Sequence, residues 1–175
     1  MKRLHLLLLS LFLFSCAKNQ IEKNQKEPNT FYELAYEFRD SHKADSAFLY
    51  FLKAKDFAIS QKDSLIAGVS LLNLAIIAAD RRDDLTSQEF ALTALAYFNK
   101  KNEKHHLYLS SNYNCLGKAS QNLRDYSNAI IFYDQAIKFS KNTSDINLYL
   151  NNKAYLYQET KQYQKALEIY NKLEK

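Results

Sequence analysis

Residues 110–140 read SSNYNCLGKASQNLRDYSNAIIFYDQAIKFS. The stretch divides into two amphipathic helices hinged at Leu123-Arg124-Asp125-Tyr126. The first presents Tyr113, Leu116, Gly117 and Ser120, and the second Ala129, Tyr133, Ala136 and Phe139. Spacings of three and four residues keep these side chains on one helical stripe. Small residues on such a stripe let a neighbouring helix approach closely, and the aromatics fill the space beside it.

The stripe recurs. Ala47, Phe51, Ala54 and Phe57 share it, as do Ala166, Tyr170 and Leu173. Ser87, Ala91, Ala94 and Tyr97 keep its spacing with Ala91 at the large position. The registers Ala47, Ser87, Ala129 and Ala166 lie 40, 42 and 37 residues apart. The segment 110–140 resembles a tetratricopeptide repeat. Tyr113 stands at that family's Trp, Leu116-Gly117 at its Leu-Gly pair, Arg124-Asp125-Tyr126 at its turn, and Ala129-Tyr133-Ala136 at its second-helix signature. Lys141 stands where the family often has Pro. The resemblance covers residues 28–175 and implies an all-α, right-handed α-solenoid of about four helix-turn-helix repeats, or about eight helices. The family repeat is about 34 residues, and the excess here is expected in longer loops between repeats.

Composition agrees with this class. Only 2 Gly and 1 Pro in 175 residues favour long helices over a turn-rich β fold. The 13 Tyr and 11 Phe suit half-buried faces with a polar rim. Net charge is +5; setting aside Lys2 and Arg3 leaves 22 basic against 19 acidic side chains, or +3. No basic run is long enough to follow a phosphate backbone, so nucleic acid is not an expected partner.

Residues 1–15 form a targeting segment, with Lys2-Arg3 followed by an apolar run from Leu4 to Phe14 that is too short to span a bilayer. Leu13-Phe14-Ser15-Cys16 resembles a bacterial lipobox. The resemblance implies that Cys16 becomes the acylated N-terminus of a membrane lipoprotein, its thiol carrying a diacylglycerol and its amine a further acyl chain such as palmitate. Residues 16–29 read as a flexible polar tether with Ile21 its single aliphatic residue. No Asp follows Cys16. That absence favours the outer membrane of the cell envelope, and no acidic export cluster is present, so a periplasm-facing position is expected.

The helical domain spans residues 30–175. Thr30-Phe31-Tyr32-Glu33 and Thr86-Ser87-Gln88-Glu89 read as capping boxes. The helix from Ser64 to Ala79 is apolar on most sides, as expected of one sandwiched between repeats. The final hairpin has no polar helix after it, so Leu167, with Ile169 or Tyr170, is expected to leave an apolar face open to self-association.

Catalytic groupings are scarce. Cys115 has no His three or four residues away and reads as a small packed hydrophobe. His105-His106 are adjacent, point about 100° apart on a helix and make a poor chelate. There is no Gly-rich phosphate loop. The chain is expected to be no enzyme and to need no metal or cofactor. The family resemblance instead implies ligand contacts along the first helix of each repeat. Those positions are Asn29, Tyr32, Tyr36 and Arg39 in the first repeat, Ser111, Asn114, Lys118 and Gln121 in the third, and Leu148, Asn151, Tyr155 and Gln158 in the fourth. The second repeat offers Val69, Leu72, Ile76 and Ala79. Asn114, Lys118 and Asn151 resemble a clamp for a terminal carboxylate, with a different order along the helix. The expected function is a membrane-anchored scaffold binding a protein or peptide on its concave face. The alternative is a truncated extracytoplasmic sensory part of a signalling or transcription-regulatory protein.

Overall fold

The computed structural model describes residues 29–174; the expected leader, Cys16 and the expected tether up to Pro28 lie outside the described residues. Among the described residues, eight α-helices follow one another in four hairpins: α1 (Thr30–Asp40) with α2 (Ala44–Ser60), α3 (Ser64–Asp80) with α4 (Asp84–Leu95), α5 (His106–Asn122) with α6 (Tyr126–Phe139), and α7 (Thr143–Glu159) with α8 (Tyr163–Leu173). A short 3₁₀ turn, Glu103–His105, precedes α5. Among the described residues there is no strand. Consecutive helices pack antiparallel, and the first helices of neighbouring hairpins touch, α3 on α5 and α5 on α7. The architecture is an all-α helical-repeat solenoid.

One turn design makes five of the seven connections. His42, Lys62, Arg82, Arg124 and Lys161 all have φ between 54° and 63°, the left-handed region. Each follows a helix end and closes a Schellman motif: Asp125 N–H donates to Ser120 C=O at 2.8 Å and Arg124 N–H to Gln121 C=O at 2.9 Å, with the same pairs at the other four turns. At three of them the next residue is Asp63, Asp83 or Asp125, whose carboxylate accepts from the backbone N–H three residues on and opens the following helix. Three residues thus end one helix and start another.

These caps correct two boundaries. The first helix is capped by Asn29, accepting from Tyr32 N–H at 3.1 Å, and not by Thr30. Helix α4 begins at Asp84 under Asp83, so the expected box at Thr86 lies inside the helix. Loops also explain less of the long register than expected. The first two hairpins are joined by the tight turn at Gln61-Lys62-Asp63, and the added length there lies in the 17-residue helices α2 and α3. Only the connection from α4 to α5 is a long loop.

The matched stripe forms the core in equivalent places. Ala47, Phe51 and Ala54, then Ser87, Ala91 and Ala94, then Ala129, Tyr133 and Ala136 are all buried. In the last hairpin Ala166 is buried, while Tyr170 and Leu173 are half-buried. Burying each large apolar side chain contributes about 1.5–3 kcal/mol. Helix α3 is buried from Ala67 through Ala75 on every side, as its composition requires. Polar bonds between hairpins join residues one repeat apart: Arg39 to Asn73, Arg81 to Asp45, Asn122 to Asp84, Lys141 to Glu103 and Asn152 to Asn114. Their separations, 34 to 38 residues, show that successive hairpins stack in register.

Candidate functional site

The first helices of the hairpins carry the expected ligand positions, and the structure divides those positions into two groups. In the first hairpin, Tyr32 donates to the Tyr36 hydroxyl at 3.2 Å, and Asn73 of α3 donates to the same oxygen at 3.2 Å. Arg39 lies over the Tyr36 ring, 4.2 Å from its centre, and donates to the Asn73 side-chain oxygen at 3.1 Å. Burial, then the hydrogen bond to Tyr36, pushes the Tyr32 phenol well above its ordinary value. Tyr32, Tyr36 and Arg39 therefore tie α1 to α3. Asn73 was not among the expected site residues. Its signal was a lone amide within an apolar run.

Of the remaining positions, Asn114, Lys118, Gln121, Asn151 and Tyr155, with Ile76 and Ala79 of the second repeat, line two cavities that share Lys118. One, about 310 Å³, lies across α3, α5 and α7, with Ile76 and Leu148 as its apolar walls and Asp80, Asn114 and Asp145 at its polar edges. The other, about 300 Å³, lies between α5 and α7 and includes Gln121, Asn151, Asn152 and Tyr155, with Tyr133 and Tyr170 from the second helices. Helix geometry explains the convergence: Asn114, Lys118 and Gln121 are one turn apart on α5, and Asn151 and Tyr155 on α7.

Several of these groups are already engaged. Asn114 accepts from Asn152 at 2.9 Å, which leaves its amide N–H₂ as the available end. Gln121 accepts from the Tyr133 hydroxyl at 2.8 Å and donates to Glu159. Burial, reinforced by the Glu159 charge, raises the Tyr133 phenol above its ordinary value. Gln158 accepts from Tyr170 at 3.1 Å and lines neither cavity. Lys118, Asn151 and Tyr155 make no hydrogen bond or ion pair among the described residues. Lys118 and Asn151 line the same cavity, with Asn114 one turn away on the other side of the lysine.

Cys115 reaches the edge of the larger cavity but is 7% exposed, shares a 3.4 Å contact with the Ser87 hydroxyl, and has its thiol pushed up by burial. It is a poor nucleophile at neutral pH. His105 is buried and accepts from Asn99 N–H through Nδ1 at 3.1 Å, while His106 Nε2 lies 2.9 Å from the Lys100 carbonyl. Both anchor the long loop. At the far end Leu167 is 52% exposed, whereas Ile169 is buried against the hairpin itself.

No family model matches the chain, and no curated protein matches it. Among solved structures, the chain is similar to BtubC (BKLC) from P. vanneervenii, with a TM-score of 0.74 and 17% identity. The match covers 87% of this chain and 66% of that one, so this chain spans somewhat less than two thirds of its length. At that identity the likeness concerns the helical fold.

Proposed function

We propose that the chain is a tetratricopeptide-like lipoprotein of the cell envelope. In this reading it is anchored through acylated Cys16, probed most simply as an outer-membrane, periplasm-facing protein, and holds a protein or peptide partner in the groove between α5 and α7. The observation that carries the binding reading is Lys118. A cation lining two adjoining cavities, with no carboxylate bonded to it, leaves its charge for a ligand. Asn151, Tyr155 and the Asn114 N–H₂ add donors around it, suited to a peptide carboxylate or backbone carbonyls. Ile76 and Leu148 offer an apolar wall for a neighbouring side chain. Among the described residues no helix is long and apolar enough to cross a membrane, so attachment in this reading depends on Cys16.

The binding test is a displayed random-peptide library panned on the chain. Selected peptides should lose about tenfold in affinity when Lys118→Ala and Asn151→Ala are combined, the loss of one charge-assisted hydrogen bond or more. Equal affinity in the double variant would remove the reading. Labelled palmitate should enter the wild-type chain and not Cys16→Ala.

A further inference from the structure

We propose that the outer end of the first hairpin is a membrane-docking face, which seats the solenoid on an anionic lipid surface; the inference rests on the lipid-anchor reading. Phe31, Leu34 and Phe38 of α1 and Tyr50, Lys53 and Phe57 of α2 have the same spacing, three then four residues, and each set forms one helical stripe. The stripes meet. Phe31 lies 6.4 Å from Tyr50 and 6.1 Å from Phe57, ring centre to ring centre, and Phe38 lies 5.0 Å from Tyr50. All four rings are half-buried.

The opposite sides of both helices are the ones that meet the second hairpin. Tyr36 and Arg39 bond to Asn73 of α3, and Phe48 packs on Phe90 of α4 at 5.9 Å. The four-ring face therefore points away from the rest of the stack. Lysines frame it. Lys53 Nζ lies 4.8 Å from the centre of the Tyr50 ring and 5.9 Å from that of Phe31, and Lys43 Nζ lies 5.9 Å from that of Phe38. Neither lysine has a carboxylate partner among the described residues. The acids of α1, Glu33, Glu37 and Asp40, are exposed and lie off the Phe31/Leu34/Phe38 stripe.

Aromatic rings beside unpaired lysines match the boundary between lipid headgroups and acyl chains, where apolar faces sink about 5–10 Å and cations meet anionic lipid. The chain also brings this face near such a surface. Phe31 is two residues past Asn29, and Asn29 is thirteen residues past Cys16. Thirteen residues reach at most about 45 Å. The tether is a poor cover for four rings, since Ile21 is its one aliphatic side chain.

The chain has no Trp, so one introduced residue reports alone. The acylated full chain carrying Phe31→Trp is reconstituted into phosphatidylethanolamine–phosphatidylglycerol vesicles with brominated acyl chains, and Ile131→Trp on exposed α6 is the control. Docking predicts blue-shifted, quenched emission for Phe31→Trp only. Adding Lys43→Gln and Lys53→Gln should lower the docked-to-undocked ratio about fivefold per lysine. A chain that floats with vesicles while Phe31→Trp stays unquenched overturns docking and leaves the anchor standing. A chain that does not float overturns both. An emission shift without lipid that grows with protein concentration identifies a second copy as the occupant and also overturns the proposal.

Discussion

The Tyr133 ring lies directly on the backbone of Gly117: a β-carbon built at Gly117 would stand 2.6 Å from Tyr133 Cε1. The ring cannot swing aside, because it is buried and its hydroxyl is bonded to Gln121 at 2.8 Å. Gly117→Ala should therefore destabilise by about 1–3 kcal/mol through overpacking, despite a gain in helix propensity of about 1 kcal/mol. With Tyr133→Leu in place the same substitution should become neutral or stabilising. Urea unfolding of the four proteins in this cycle gives the sign, and equal effects in both backgrounds would show that the contact does not restrict position 117.

The five left-handed turn residues all carry side chains, at a cost of about 1–2 kcal/mol each relative to glycine in that conformation. Lys62→Gly and Arg124→Gly should each raise stability by about 0.5–1 kcal/mol, after allowing for the extra freedom glycine gives the unfolded chain. The sites lie in different parts of the stack and should add. Thermal unfolding of the two single variants and their combination checks this.

Asn73 joins the first hairpin to the second. It donates to Tyr36 and to the Val69 carbonyl at 2.9 Å, and accepts from Arg39. Asn73→Ala removes three hydrogen bonds at once, although Arg39 is exposed and keeps Asp40 and the Tyr36 hydroxyl keeps Tyr32, and should cost about 2 kcal/mol. The loss should be local. Amide exchange should quicken across α1 and α2 and change little in α5 to α8, as expected where each repeat contacts only its neighbours.

The sequence showed the repeat because its cause is local. Ala129, Tyr133 and Ala136 alternate small and large on one stripe, and Gly117 stands opposite the largest of them. The turns hid their geometry because basic residues fill positions that glycine usually marks, so His42, Lys62, Arg82, Arg124 and Lys161 read as ordinary polar loop. The lining positions came from the family resemblance and not from spacing alone; the structure places Lys118 with Asn114 along one cavity and with Asn151 and Tyr155 along the other. Which of them keep free polar atoms was not legible. That depends on partners a whole repeat away, such as Asn152 for Asn114 and Glu159 for Gln121. Asn73 escaped for the same reason: its role is set by Tyr36 and Arg39, 37 and 34 residues distant.

Alkaline pH should unfold the protein through three acids, two of them buried and Tyr32 half-buried. Burial raises the Cys115 thiol, the Tyr32 phenol and the Tyr133 phenol above their ordinary values. In each case the native state holds its proton longer than the unfolded chain does. Each group's contribution is thus fully present below its ordinary value, about 8.5 for a thiol and 10 for a phenol, and is lost as pH rises beyond it. Stability should decline from about pH 9 and more steeply above about pH 10. Tyr133→Phe loses the bond to Gln121 and should be less stable at pH 7, yet its decline above about pH 10 should be shallower than that of the wild type. Urea midpoints across pH 7 to 11 test this, and parallel curves for the two proteins would show that Tyr133 does not contribute to the alkaline transition.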